Sequence, residues 1–135
     1  MTVEDIFRMT MAMIDEMTAT GEFDETSVGE YKAKTPSILT MLQNEIIGIE
    51  NRYRTPEEVI FPVPIESLEQ PLQISDIKAA TMLTNGLAAQ LMLHEDTTLA
   101  NYFNQRYEEM KAIYLKPTPN KREKIEDVYD AGLNY

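Results

Sequence analysis

Four prolines fall within sixteen residues, Pro56, Pro62, Pro64 and Pro71, and they split the chain into two blocks that must pack across the break. Each proline lacks an amide hydrogen and pushes the residue before it out of the helical region, so no helix is expected to cross this stretch. On either side, apolar residues recur every three or four positions, the period of an amphipathic helix. In the first block, Thr2 is placed to cap a helix whose opening turn holds Glu4 and Asp5 at the positive end of its dipole. Val3, Ile6, Phe7, Ile14 and Met17 give that helix one apolar stripe through about Ala19, and Gly21 ends it. Met9, Met11 and Met13 widen the apolar surface, either as gap-filling core or as an adaptable face for a neighbouring subunit. Ser27 and Glu30 have the capping-box spacing for a short helical turn through Lys34. Pro36 then suits the first turn of a new helix capped by Thr35. Ile38, Leu39, Leu42, Ile46, Ile47, Ile49 and Tyr53 carry that helix to about Arg54.

Within the break, Val59, Phe61, Val63 and Ile65 alternate with the period of a strand, and Leu72–Ile74 offers a second short extended piece. The prolines confine such a strand to an edge or a loop. A loop of this length is usually functional or reaches toward another chain. In the second block, Ser75 and Asp76 open a third helix to about His94, with Ile77, Ala80, Leu83, Leu87, Leu91 and Met92 on its inner side. Gly86 inside this helix costs about 1 kcal/mol relative to alanine, and close packing against another helix would compensate. Asp96 or Thr97 caps a fourth helix to about Leu115, bearing Leu99, Tyr102, Phe103, Tyr107, Met110, Ile113 and Tyr114. The short turn between these two helices makes them an antiparallel hairpin. The expected fold is therefore mainly α: a bundle of about four helices with a small extended or β element in the central loop. Residues 1–116 form the helical domain, with the proline-rich arm at about 55–74. Residues 117–135 form a tail, with Lys121, Arg122 and Lys124 followed by Ile125, Val128 and Tyr129, that orders on partners.

A chain of 135 residues with 43% apolar and 26% charged residues fits one globular domain rather than a disordered one. Its net charge of −11 argues against unspecific binding to nucleic acid or anionic lipid, both of which reward lysine and arginine. The absence of cysteine removes disulfides, thiolate metal sites and cysteine nucleophiles together. His94 is the only histidine, and its expected place at the end of the third helix suits contact with exposed carbonyls better than metal ligation. Adjacent carboxylates such as Glu57–Glu58 and Glu108–Glu109 point about 100° apart on a helix and make no acid–base pair by themselves. The five glycines form no phosphate-cradling loop. The reading is of a chain with no catalytic residue, no cofactor and no metal; the alternative is an enzyme with an unfamiliar carboxylate site. No stretch approaches the ~18 apolar residues that span a bilayer, and the acidic start is unlike a secretory signal. Synthesis in the cytoplasm without membrane contact is the expectation. Acid is concentrated in the first 30 residues, where eight acidic residues face the single base Arg8. Such a surface solvates the chain, docks a basic partner, or lines a passage along which DNA slides without sticking.

The run Ser75-Asp76, Ala79-Ala80, Leu83-Thr84-Asn85-Gly86-Leu87-Ala88-Ala89 and Leu91, then Glu95-Asp96, Leu99-Ala100-Asn101-Tyr102-Phe103 and Tyr107-Glu108-Glu109-Met110-Lys111, resembles the head–tail connector (neck adaptor) proteins of tailed bacteriophages. The tail Ile125-Glu126-Asp127-Val128-Tyr129 fits the same likeness, which covers roughly residues 31–129. The resemblance implies a helical structural protein of the virion neck, made in the bacterial cytoplasm. It would form a homo-oligomeric ring, commonly a dodecamer, between the portal and the tail or stopper proteins, with the genome passing through its lumen. It implies no catalytic residue. Ile125, Val128 and Tyr129, with Val59 and Phe61 of the arm, are the residues expected to dock on partners. The acidic, methionine-rich first helix departs from the usual adaptor core. It leaves open another small neck or tail component (a stopper or tail-completion protein), or an acidic regulator that imitates DNA.

Overall fold

The computed structural model describes residues 1–16 and 25–115. Four helical rods make up the described chain. α1 spans Val3–Glu16 and α2 spans Glu25–Asn51. α3 is one continuous rod assembled from Asp76–Lys78, a π-helical turn Ala79–Leu83 and Thr84–Met92, and α4 spans Thr97–Tyr114. The buried apolar side chains form one cluster drawn from all four rods and the arm. The mainly α bundle expected from the periodicity is therefore the fold.

α3 is the centre of that bundle. It packs most extensively on α4, as an antiparallel hairpin, and also on α1 and α2. Such a rod must be apolar nearly all round. Between Thr84 and Met92 only Asn85 and Gln90 escape burial. Gly86 has the packing reason its position requires. A β-carbon there would sit 2.8 Å from Leu42 Cδ1 and 3.1 Å from the ring of Tyr107, so α2 and α4 both close on its bare backbone.

Both expected cap residues of α1 and α4 are in place. Thr2 and Asp5 cap α1 reciprocally: the Thr2 amide donates to Asp5 Oδ2 at 2.9 Å and the Asp5 amide to Thr2 Oγ1 at 3.3 Å. The hydrogen bond from the Thr2 amide, with the Thr2 side chain adding to it, holds the Asp5 carboxyl below its ordinary pKa. The Asp96 side chain accepts from the Leu99 amide at 3.1 Å and caps α4. Val3, Ile6, Phe7 and Ile14 are buried as the stripe requires, while Met11 and Met13 pack against the core and Met9 stays exposed. The expected end of α1 at Ala19 and Gly21, with Met17, lies outside the described residues.

Three expectations need correction. Pro36 does not begin a helix; it lies inside α2, and the expected turn at 27–34 is the start of that same rod. The stripe Tyr31, Thr35, Leu39, Leu42, Gln43, Ile46 and Ile47 is buried on both sides of the proline, and this burial outweighs the missing amide. Thr35 is no cap: its hydroxyl donates to the Tyr31 carbonyl at 2.7 Å, just before the proline. Replacing Pro36 with alanine restores one helical hydrogen bond and relieves the ring clash. It is expected to raise stability by about 2 kcal/mol, read from urea unfolding midpoints.

Ile77 is not on the inner side of α3 but is 69% exposed. A π-turn holds one residue more than an α-turn, so everything N-terminal to Ala79–Leu83 is rotated out of phase with the helix that follows. Thr81, Thr84 and Asn85 side chains donate to the carbonyls of Ile77, Ala80 and Thr81 and occupy the loosened ladder. Finally, the alternating residues 59–65 form no strand, and among the described residues there is no sheet. The one β-bridge, Thr2 with Pro71, is isolated. Extended backbone is present, but its hydrogen-bonding partners are side chains.

Candidate functional site

The arm, residues 55–74, lies along α2 and is fastened by a row of polar side chains. Thr40, Gln43 and Asn51 recur at helical spacing on one flank of α2, and Gln70 and Gln73 come from the arm itself. The Asn51 side chain acts as a neighbouring strand would. Its Oδ1 accepts from the Ile60 amide at 3.1 Å, and its Nδ2 donates to the Ile60 carbonyl at 2.9 Å. Gln73 repeats the pattern two residues on, accepting from the Val63 amide at 2.7 Å and donating to the Phe61 carbonyl at 3.0 Å. Gln43, only 1% exposed, locks the Gln73 pairing: it accepts from the Gln73 amide at 3.0 Å and donates to Gln73 Oε1 at 3.3 Å and the Val63 carbonyl at 3.4 Å. Thr40 Oγ1 takes the Ile65 amide at 2.9 Å, and Gln70 spans the Glu66 amide and the Pro64 carbonyl.

The far end of the arm closes on α1. The amides of Val3 and Glu4, which have no partner within a helix's first turn, donate to the carbonyls of Gln70 at 3.1 Å and Leu68 at 2.8 Å. Ile65 and Ile74 are buried beneath the arm. A segment without regular secondary structure is thus held at both ends and along its middle. Two apolar side chains are left outside: Phe61 is 81% exposed and Val63 52%.

Of the residues expected to dock on partners, Val59 is half-buried and Phe61 stands clear of the surface two residues along the same arm. Ile125, Val128 and Tyr129 lie outside the described residues. The fastening residues Thr40, Gln43, Asn51, Gln70 and Gln73 are not among those the sequence picks out. The signal for them was a polar stripe on an otherwise apolar helix, followed by a proline-rich segment whose backbone needed partners.

A second constellation joins α2 to α4. Tyr107 donates to Glu45 Oε1 at 2.5 Å, and Lys111 reaches Glu45 at 3.0 Å and Glu108 at 3.1 Å while lying 4.7 Å over the Tyr107 ring. Burial alone would raise the Glu45 pKa, but the bonds from Tyr107 and Lys111 prevail and hold it below its ordinary value. Burial pushes the Tyr107 phenol up, and the adjacent Glu45 carboxylate pushes it further. Burial would lower Lys111, yet bonds to Glu45 and Glu108 raise it. Glu45, Tyr107 and Lys111 are thus each held in the state they already have at neutral pH, and the arrangement ties α2 to α4. Beside it lies a cleft of about 180 Å³, lined by Met41, Leu42, Glu45, Gln90, Asn104, Tyr107 and Glu108. At the opposite end of α2, Tyr31 donates to Glu95 in the turn between α3 and α4.

Among the described residues, no group of three or more acidic or histidine side chains is placed to hold a metal, and no helix is long and apolar enough to cross a membrane. His94 is exposed in the turn after α3. Of the acids of the first 30 residues whose side chains are described, Asp5 and Glu30 are exposed, and Glu4 is half-buried beside Arg8 and Lys32. No protein-family model, curated protein or solved structure matches the chain.

Proposed function

We propose that this protein is a non-enzymatic assembly subunit that docks on copies of itself through the proline-rich arm. In the reading its sequence resemblance suggests, it is a ring-forming head–tail connector of a tailed bacteriophage neck. The observation that carries the proposal is Phe61, a large apolar side chain standing 81% exposed on an arm that five polar side chains hold in place. Fixing backbone costs roughly 1–2 kcal/mol per residue, and an arm ordered only to hold a phenylalanine in water gains nothing from it. A pre-ordered apolar anchor lowers the entropic cost of association, which is what repeated docking between subunits requires.

Asp5 on α1 and Glu30 on α2 are exposed acids, which suits the same reading. A lumen that passes DNA benefits from like charge, because no counterion-release gain then holds the strand against the wall. Native mass spectrometry of the purified chain tests the proposal. Oligomers are expected, and Phe61→Ser should shift their dissociation to at least tenfold higher protein concentration while leaving the urea midpoint unchanged, since the side chain contributes little to the fold. Oligomers indifferent to Phe61→Ser would remove the arm from the interface, and a monomer at every concentration, alone and with a portal ring, would overturn the assembly role.

A further inference from the structure

The arm's occupant can be named from charge and position, given the assembly reading above on which this inference rests. Pro62 and Pro64 carry no amide hydrogen, and the amides of Ile60, Val63, Ile65 and Glu66 are taken by Asn51, Gln73, Thr40 and Gln70. The arm therefore offers a partner side chains, not a ladder to extend. Those side chains are Phe61 and Val63, flanked by the exposed acids Glu57 and Glu58 on one side and Glu66 and Glu69 on the other. One segment of the chain has the complementary order of charge and apolarity: Lys121, Arg122 and Lys124, followed by Ile125 and Val128.

The geometry favours a segment from another copy. Gln43 holds the arm and Glu45 holds the last turn of α4, through Lys111. Helical residues two positions apart, as Gln43 and Glu45 are, point about 200° apart, so the arm and the end of α4 lie on nearly opposite flanks of α2. Leu115, which follows the last turn of α4, is the last described residue. An interface that joins one flank of a subunit to the other flank of the next is heterologous, the kind that closes into rings. We infer that residues 121–129 of one copy lie on the arm of the next, the basic residues against the flanking glutamates and Ile125 and Val128 against Phe61 and Val63.

The chain has no cysteine, so single thiols report the contact cleanly. Phe61→Cys and Ile125→Cys, mixed in equal amounts under mild oxidation, should give a mixed disulfide dimer at least tenfold faster than Met41→Cys with Ile125→Cys. Met41 is an exposed apolar residue on α2, 53% accessible, and so controls for random collision. Reversing the tail's charge (Lys121→Glu, Arg122→Glu, Lys124→Glu) should abolish the preference, and Glu57→Lys, Glu58→Lys and Glu66→Lys on the arm partner should restore it. Equal rates in the two mixtures, or a bridge formed only inside the doubly substituted chain as a monomer, would overturn the inference. Rings that form without the preferred bridge would leave the assembly reading standing and remove the tail from the arm. A preferred bridge without rings would keep the tail contact and remove the ring.

Discussion

Gln43→Ala is expected to destabilise the fold by about 3–5 kcal/mol in urea unfolding, as much as emptying a large apolar core position. The side chain is 1% exposed and makes three hydrogen bonds, to the Gln73 amide, the Gln73 side chain and the Val63 carbonyl. Alanine leaves a cavity and strips partners from three partly buried polar groups. Gln43→Met separates these causes, since it keeps the volume and removes only the polar contacts. It should still cost about 2 kcal/mol, and hydrogen exchange at the Val63 and Gln73 amides should accelerate while exchange in α3 and α4 keeps its order of protection. A neutral Gln43→Met would mean that the polar contacts of Gln43 contribute nothing to holding the arm, which Asn51, Thr40 and Gln70 would then fasten without it.

Gly86→Val is expected to cost about 3 kcal/mol. A β-carbon there meets Leu42 Cδ1 at 2.8 Å and two ring carbons of Tyr107 at 3.1 Å, and the two methyls of valine add bulk and stiffness at that contact. Leu42 is 5% and Tyr107 4% exposed, so neither moves without disturbing the core. Displacing the Tyr107 ring also pulls its hydroxyl from Glu45 and loosens the tie between α2 and α4. Gly48 supplies the contrast within the same protein. Nothing lies within 4 Å of a β-carbon there, so Gly48→Ala should gain about 1 kcal/mol from helix propensity. Opposite signs at the two glycines, measured by the same denaturation, would show that contact and not helix propensity governs Gly86.

Much of the bundle was legible in the sequence because it is locally encoded. Caps at Thr2 and Asp96 and apolar spacing in α1, α3 and α4 are short-range signals, and Gly86 in a run of small residues announced a close helix contact. Pro36 misled because its local effect is strong, whereas the stripe from Tyr31 to Ile47 that overrides it draws its energy from helices far along the chain. Ile77 misled because a π-turn has no sequence code, and one added residue shifts the phase of everything before it. In the arm the alternation predicts a strand that the prolines confine to an edge or a loop. Alternation does report extended backbone, but it says nothing of what pairs with it, and here the partners are amide side chains of α2 and of the arm itself. The proposed docking site was half legible: Phe61 is an apolar residue among prolines, while the stripe Thr40, Gln43 and Asn51 has no evident purpose until the arm lies on it.

Single-particle imaging of the purified chain tests the assembly claim most directly. Closed rings with Phe61 of each copy covered by the next subunit are the predicted result. Uniform monomers, or rings in which the arm faces open solvent all the way round, would contradict it.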